Sequence, residues 1–146
     1  MIDLALLERW IHAVGFDLVP EGSADVDPQE PFSTRTVESP TTLRILPRDG
    51  KSPELPPFFL QRGENWILLS ILPVFSADAW LSGDLYRRLL SVNRDMRIAK
   101  FALGADGEVV LCAELPTESL DRSEIVDAVE RMVKYIAHYR EYLLKP

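Results

Sequence analysis

Apolar residues recur along this chain with two periods, and the points where the period changes divide it into elements. Leu4, Leu7, Ile11 and Val14 share one helical face behind Asp3, a side chain suited to an N-cap, and Gly15 stands where a left-handed residue ends a helix. Leu6, Trp10 and Ala13 form a second apolar line, which predicts a helix touching more than one neighbour. From Pro57 to Val74 two strand-like runs flank Gly63, Glu64 and Asn65, the pattern of a hairpin. In the second run Trp66, Ile67, Leu68, Leu69, Ile71 and Leu72 leave almost no polar face, predicting a central strand covered on both sides and ended by Pro73. Leu81, Leu85 and Leu89 then repeat every fourth residue, flanked by Tyr86 and Leu90. Ser76 or Asp78 can cap this helix, and Gly83 defers its regular part to Asp84.

Residues Ala99 to Pro116, AKFALGADGEVVLCAELP, read as a second hairpin, and the turn decides which side chains share a face. A two-residue turn on Asp106 and Gly107 would place Lys100 among Val109, Leu111 and Ala113. A three-residue loop, Ala105 to Gly107 with Gly107 left-handed, pairs Leu103 with Val109, Phe101 with Leu111 and Ala99 with Ala113, and so gathers the apolar set on one core face. The opposite face then carries Ile98, Lys100, Ala102, Val110, Cys112 and Glu114, which need cover from a loop, a second subunit or a bound segment. The last helix has four agreeing start signals: Asp121 and Glu124 form a capping box, and Leu120 and Ile125 a hydrophobic staple. Its core stripe is Ile125, Val129, Met132, Val133, Ile136 and Leu143, with Tyr135, His138, Tyr139 and Tyr142 on the flank.

Prolines from Pro20 to Pro57 exclude regular helix there. Within this Pro-rich loop region, Thr41 to Pro47 is the better strand candidate, ahead of Phe32 to Glu38, and Glu21 to Pro31 reads as an acidic surface loop. No βαβ alternation is present. The expected class is α+β, an antiparallel sheet packed by helices in the order α-β-β-β-α-β-β-α.

A length of 146 residues fits one domain, residues 1–146, and 47% hydrophobic with 27% charged residues is an ordinary globular balance. Sixteen Lys and Arg against 23 Asp and Glu give a net charge of -7, which disfavours nucleic acid and suits a partner with basic segments. The single cysteine precludes an internal disulfide. Glu8, Arg9 and His12 interrupt the start, so no signal peptide is expected, and the longest apolar run, Trp66 to Phe75, is short of the ~20 residues a membrane helix needs. A cytoplasmic location is the expectation.

Chemistry is sparse. His12 and His138 lack Cys or carboxylate at ligand spacing, so no metal site is expected. Cys112 lies mid-strand among apolar neighbours, where a thiol behaves as a small hydrophobe rather than a nucleophile. Glycine-rich phosphate loops, GxSxG and HExxH are absent. The reading is a binding module without catalytic residues, cofactor or metal.

The run LYRRLLSVNRDMRIAKFALGADGEVVLCAELP, Leu85 to Pro116, followed by a long amphipathic helix, resembles the type III secretion chaperone-like superfamily, in particular its YbjN-type members. Asn93 at a helix end, Phe101, the turn Asp106 and Gly107, and Leu111, Leu115 and Pro116 are the matching positions. The resemblance implies a fold that binds peptide segments of partner proteins, commonly as a homodimer, without catalysis.

Three functions follow as expectations. The first is a chaperone-like adaptor holding an extended segment of a client protein. The second is a structural homodimer that uses up apolar surface, either on Leu81, Leu85, Tyr86 and Leu89 or on Ile98, Lys100, Ala102, Val110 and Cys112. The third is a small metabolite-binding domain or enzyme built near His138, Tyr139 and Arg97.

Overall fold

Asp3 opens the first helix, α1 (Leu4–Ala13), by accepting a hydrogen bond from the Ala5 N–H at 3.3 Å, and Gly15, at φ 95°, turns the chain back. A computed structural model describes residues 1–21, 42–48, 55–75 and 83–144. After α1 come strands β1 (Phe16–Pro20), β2 (Thr42–Pro47), β3 (Phe58–Arg62) and β4 (Trp66–Ile71). Helix α2 (Gly83–Asp95), strands β5 (Lys100–Leu103) and β6 (Val109–Pro116), and helix α3 (Arg122–Leu143) complete the order. The strands form one six-stranded sheet, β1-β2-β3-β4-β6-β5, with every neighbouring pair antiparallel.

Alternation along each strand sends every second side chain to one face. Leu18, Leu43, Ile45, Phe58, Leu60, Ile67, Leu69, Ile71, Phe101, Leu111 and Ala113 are all buried there. They form a single core with Leu7 and Ile11 of α1, Leu85, Leu89 and Val92 of α2, and Ile125, Val129, Met132 and Ile136 of α3. All three helices therefore back the same side of the sheet. Among the described residues Arg62 is the charged one that is buried, with its Nη1 donating to the Ile2 carbonyl at 2.9 Å.

The α+β antiparallel architecture is the expected one, with four strands ahead of α2; Phe16–Pro20 is the strand that periodicity alone does not single out. The hairpin register is the three-residue one: Leu103 faces Val109, Phe101 faces Leu111, and Gly107 has φ 80°. The Gly104 N–H closes the loop onto the Glu108 carbonyl at 2.8 Å.

Three expectations need correction. Among the described residues strand β4 is covered on one face only, because all the described helices pack on one side, which leaves Trp66, Leu68 and Ser70 half-buried. Leu103 points to the core side but is 52% exposed, since it ends the outermost strand. Leu85 and Leu89, expected as an interaction surface, lie at 4% and 6% exposure because their stripe turns inward to the core. Leu81, the cap candidates Ser76 and Asp78, and most of the Pro-rich region fall outside the described residues.

The capping box on α3 is complete. The Glu124 N–H donates to Asp121 Oδ1 at 3.0 Å, and the Asp121 N–H donates to Glu124 Oε2 at 3.1 Å. Hydrogen bonds from the Ser123 hydroxyl and the Glu124 N–H hold the Asp121 carboxyl below its ordinary value. A depressed carboxylate contributes stability that is present above its unfolded-state pKa and is lost as the pH falls through the folded one. Asp121→Ala is therefore expected to lower the thermal midpoint by about 3 °C at pH 7. The gap to wild type should narrow as the pH falls below the ordinary aspartate range, when followed by circular dichroism.

Candidate functional site

The face opposite the helices is crossed by one row of partnered residues: Val19, Arg44, Phe59, Ser70, Cys112 and Lys100, one from each strand in spatial order. With strands about 4.8 Å apart, this row spans about 24 Å. Gln61, Leu68 and Glu114 make the adjacent row, and Ala102 and Val110 pair on its other side. The floor is apolar at its centre, where Phe59, Leu68, Val110 and Cys112 are half-buried, and polar toward its rim, where Gln61, Lys100 and Glu114 are exposed. Arg44 lies with Cζ 5.4 Å from the centroid of the Phe59 ring, so its cation is held over an aromatic face. Among the described residues no element covers this floor.

Burial, and secondarily the charge of Glu114, raise the Cys112 thiol above its ordinary value, and Sγ donates to the Lys100 carbonyl at 3.7 Å. The group stays a protonated thiol at neutral pH, which fits packing rather than nucleophilic attack. No group of His, Cys, Asp and Glu among the described residues can hold a metal ion. No described helix is long and apolar enough to cross a membrane.

The two edges of the sheet differ. On β5, the hydrogen-bonded pair at Gly104 and Glu108 makes Phe101 and Leu103 the residues whose main-chain groups point outward. Asn93, at the end of α2, occupies the first of these. Its Nδ2 donates to the Phe101 carbonyl at 2.9 Å and its Oδ1 accepts from the Phe101 N–H at 2.8 Å. At Phe101 one side-chain amide thus takes the place of a partner strand.

On β1, the Arg48 N–H donates to the Gly15 carbonyl at 3.0 Å and the Glu21 N–H to the Thr42 carbonyl at 3.5 Å. With that phase, Phe16, Leu18 and Pro20 turn their main-chain groups outward, and those of Phe16 and Leu18 find no partner among the described residues. Beside this edge runs a groove of about 530 Å³ lined by Glu8, Arg9 and His12 of α1 and by Asp17, Leu18 and Val19 of β1. His12 is fixed in its wall. Arg48 Nη1 donates to His12 Nε2 at 2.8 Å, which leaves Nδ1, 3.4 Å from Asp17 Oδ1, to carry the proton.

Of the residues singled out from sequence, Lys100, Ala102, Val110 and Cys112 share the uncovered face, and Ile98 stands just before it at 42% exposure. Tyr86 is exposed on α2 together with Leu90 at 72%, whereas Leu85 and Leu89 are core. Sequence reading does not single out Arg44 and Phe59, and it misses Leu68 because the apolar run of β4 reads as covered on both faces. It missed the groove because its outer wall, Phe16–Pro20, alternates over too few residues to stand out.

An open antiparallel sheet backed on one side by three helices is a fold shared with chains of solved type III secretion and chaperone-effector complexes. The chain is similar to a chain of the heterodimeric ExoU-SpcU complex from the type III secretion system of Pseudomonas aeruginosa, with TM-score 0.54 and 22% identity, covering 94% of each chain. It is also similar to a chain of the HopA1-SchA chaperone-effector complex, with TM-score 0.56 and 12% identity, covering 97% of this chain and 99% of the other. A comparison with curated protein sequences finds no match. Within that fold class the chain belongs to the YbjN family, whose model, described as "Putative bacterial sensory transduction regulator", matches residues 58–145.

Proposed function

We propose that this protein is a non-catalytic, chaperone-like module that holds an extended segment of a client protein. The segment's main chain pairs with the free edge of β1, and its side chains run from the α1 groove onto the uncovered face. The observation that carries this reading is the adjacency of three features: main-chain groups on Phe16 and Leu18 that find no partner among the described residues, a groove beside them, and a floor that is apolar at its centre, at Phe59, Leu68, Val110 and Cys112. A strand supplies donors and acceptors at the spacing of about 7 Å that such an edge presents. The asymmetry of the edges supports β1 over β5, where Asn93 already fills the partner's place. The likeness to chains of chaperone-effector complexes supports a protein client. The family's description as a sensory transduction regulator fits as well, since a module that sequesters a segment of a signalling protein regulates it.

Val19→Lys tests the pairing. A lysine on the open face of an edge strand disfavours an added strand and has water for its own ammonium, so the fold should persist. The expected result is a thermal midpoint within about 2 °C of wild type and at least about tenfold weaker client binding by isothermal titration. Unchanged binding would place the client elsewhere.

Self-association is the second reading, favoured by Tyr86 and Leu90 one helical turn apart on the exposed side of α2. Here Leu90→Lys is expected to convert a dimer to a monomer in light scattering; a wild type that is monomeric at micromolar concentration would remove this reading.

A further inference from the structure

The connection from α2 to β5 turns on a strained residue. Ile98 has φ 70°, a region that β-branched side chains rarely enter, and its neighbours close a three-residue turn in which the Ala99 N–H donates to the Arg97 carbonyl at 2.7 Å. Glycine or asparagine would adopt this backbone at lower cost. Three side chains from three elements hold the turn in place. The Tyr135 hydroxyl of α3 accepts from the Arg97 N–H at 3.0 Å and donates to the Arg97 carbonyl at 3.3 Å. Lys100 Nζ donates to the carbonyls of Asn93 and Met96, each at 2.6 Å, and Asn93 grips Phe101. What this framework presents is an aliphatic side chain 42% exposed, at the corner where the uncovered face begins.

Strain that the surroundings over-determine marks positions at which geometry serves function. Core packing does not account for the residue type, because a large part of the side chain lies in water. We propose that Ile98 is an anchor of the client interface: an aliphatic side chain on a held backbone that takes an apolar side chain of the bound segment, with Tyr135 and Lys100 as its positioning residues. The inference rests on the client-holding reading above and adds to it a second point of contact, at the opposite end of the sheet from β1. A β-branched side chain has few rotamers, and on a backbone already held before binding it loses little entropy on contact, the property that makes anchors effective.

The test uses peptides of 20 residues selected from a random phage-displayed library on the wild-type chain, retaining those that lose affinity for Val19→Lys. Ile98→Asn tolerates the positive φ and removes the apolar surface; Ile98→Val keeps both the β-branch and the apolar surface. The expected result is about tenfold weaker peptide binding by Ile98→Asn, with a thermal midpoint equal to or above that of wild type, and binding within twofold by Ile98→Val. Binding by Ile98→Asn within twofold of wild type would overturn the anchor while leaving the client reading standing. A library that yields no peptide sensitive to Val19→Lys would overturn the client reading, and the anchor with it.

Discussion

Leu69→Ala is expected to destabilise the protein by about 3 kcal/mol, lowering the thermal midpoint by about 10 °C, whereas Leu68→Ala, one residue earlier, should cost under about 1 kcal/mol. Both residues lie in β4, near the middle of the sheet. Leu69 is fully buried between β3 and β6 on the helix side, in contact with the core formed by α1 and α3. Truncating it removes three buried carbons and leaves a cavity that the surrounding helices close only in part. Leu68 faces the other way, paired with Gln61 and Glu114 and half-buried, so truncation there returns to water a surface that is already partly wet. Urea unfolding of the two variants measures the contrast. Equal losses would mean that both faces of β4 are packed, as the unbroken apolar run of this strand first suggests.

Asn93→Ala is expected to be the second large effect, at about 2 kcal/mol. The amide supplies both partners to Phe101, and alanine leaves a main-chain N–H and C=O in a partly buried place without replacement. The same change frees the edge of β5. Wild type presents β1 open and β5 closed at Phe101; the variant leaves β5 open there as well. Concentration-dependent association of Asn93→Ala, seen in light scattering and absent from wild type, is the expected consequence, because unpaired edges template pairing between chains. Asn93→Gln separates the two effects: its longer arm keeps the amide yet misplaces it against Phe101, so it should associate with a smaller loss of stability.

The sequence made some parts of the structure readable for local reasons. The α3 start follows from Asp121 and Glu124, which act on neighbouring main-chain groups whatever the rest of the chain does. The hairpin register follows from the burial cost of Lys100, since only one turn places its ammonium at the rim, where it reaches the carbonyls of Asn93 and Met96. What remained hidden depends on long-range packing. Leu85 and Leu89 share an apolar stripe with Leu81, and periodicity finds such a stripe without saying whether it meets the protein's own core or a partner. Leu68 and Leu69 are the same residue type in the same strand, and only the placement of three helices on one side distinguishes them. The helix-ending Asn93 was legible as a motif position, while its work on Phe101 was not, because a side-chain amide matching a strand edge leaves no periodic trace.

The account turns on one edge and one face being free while the other edge is closed. Amide hydrogen exchange by NMR, with and without a bound peptide from the selection above, measures this directly. In the free protein the outward N–H groups of Phe16 and Leu18 should exchange quickly and that of Phe101, held by Asn93, slowly. Peptide binding should protect Phe16 and Leu18 and leave Phe101 unchanged. Protection that appears along α2 or β5, with Phe16 and Leu18 still exchanging freely in the complex, would contradict it.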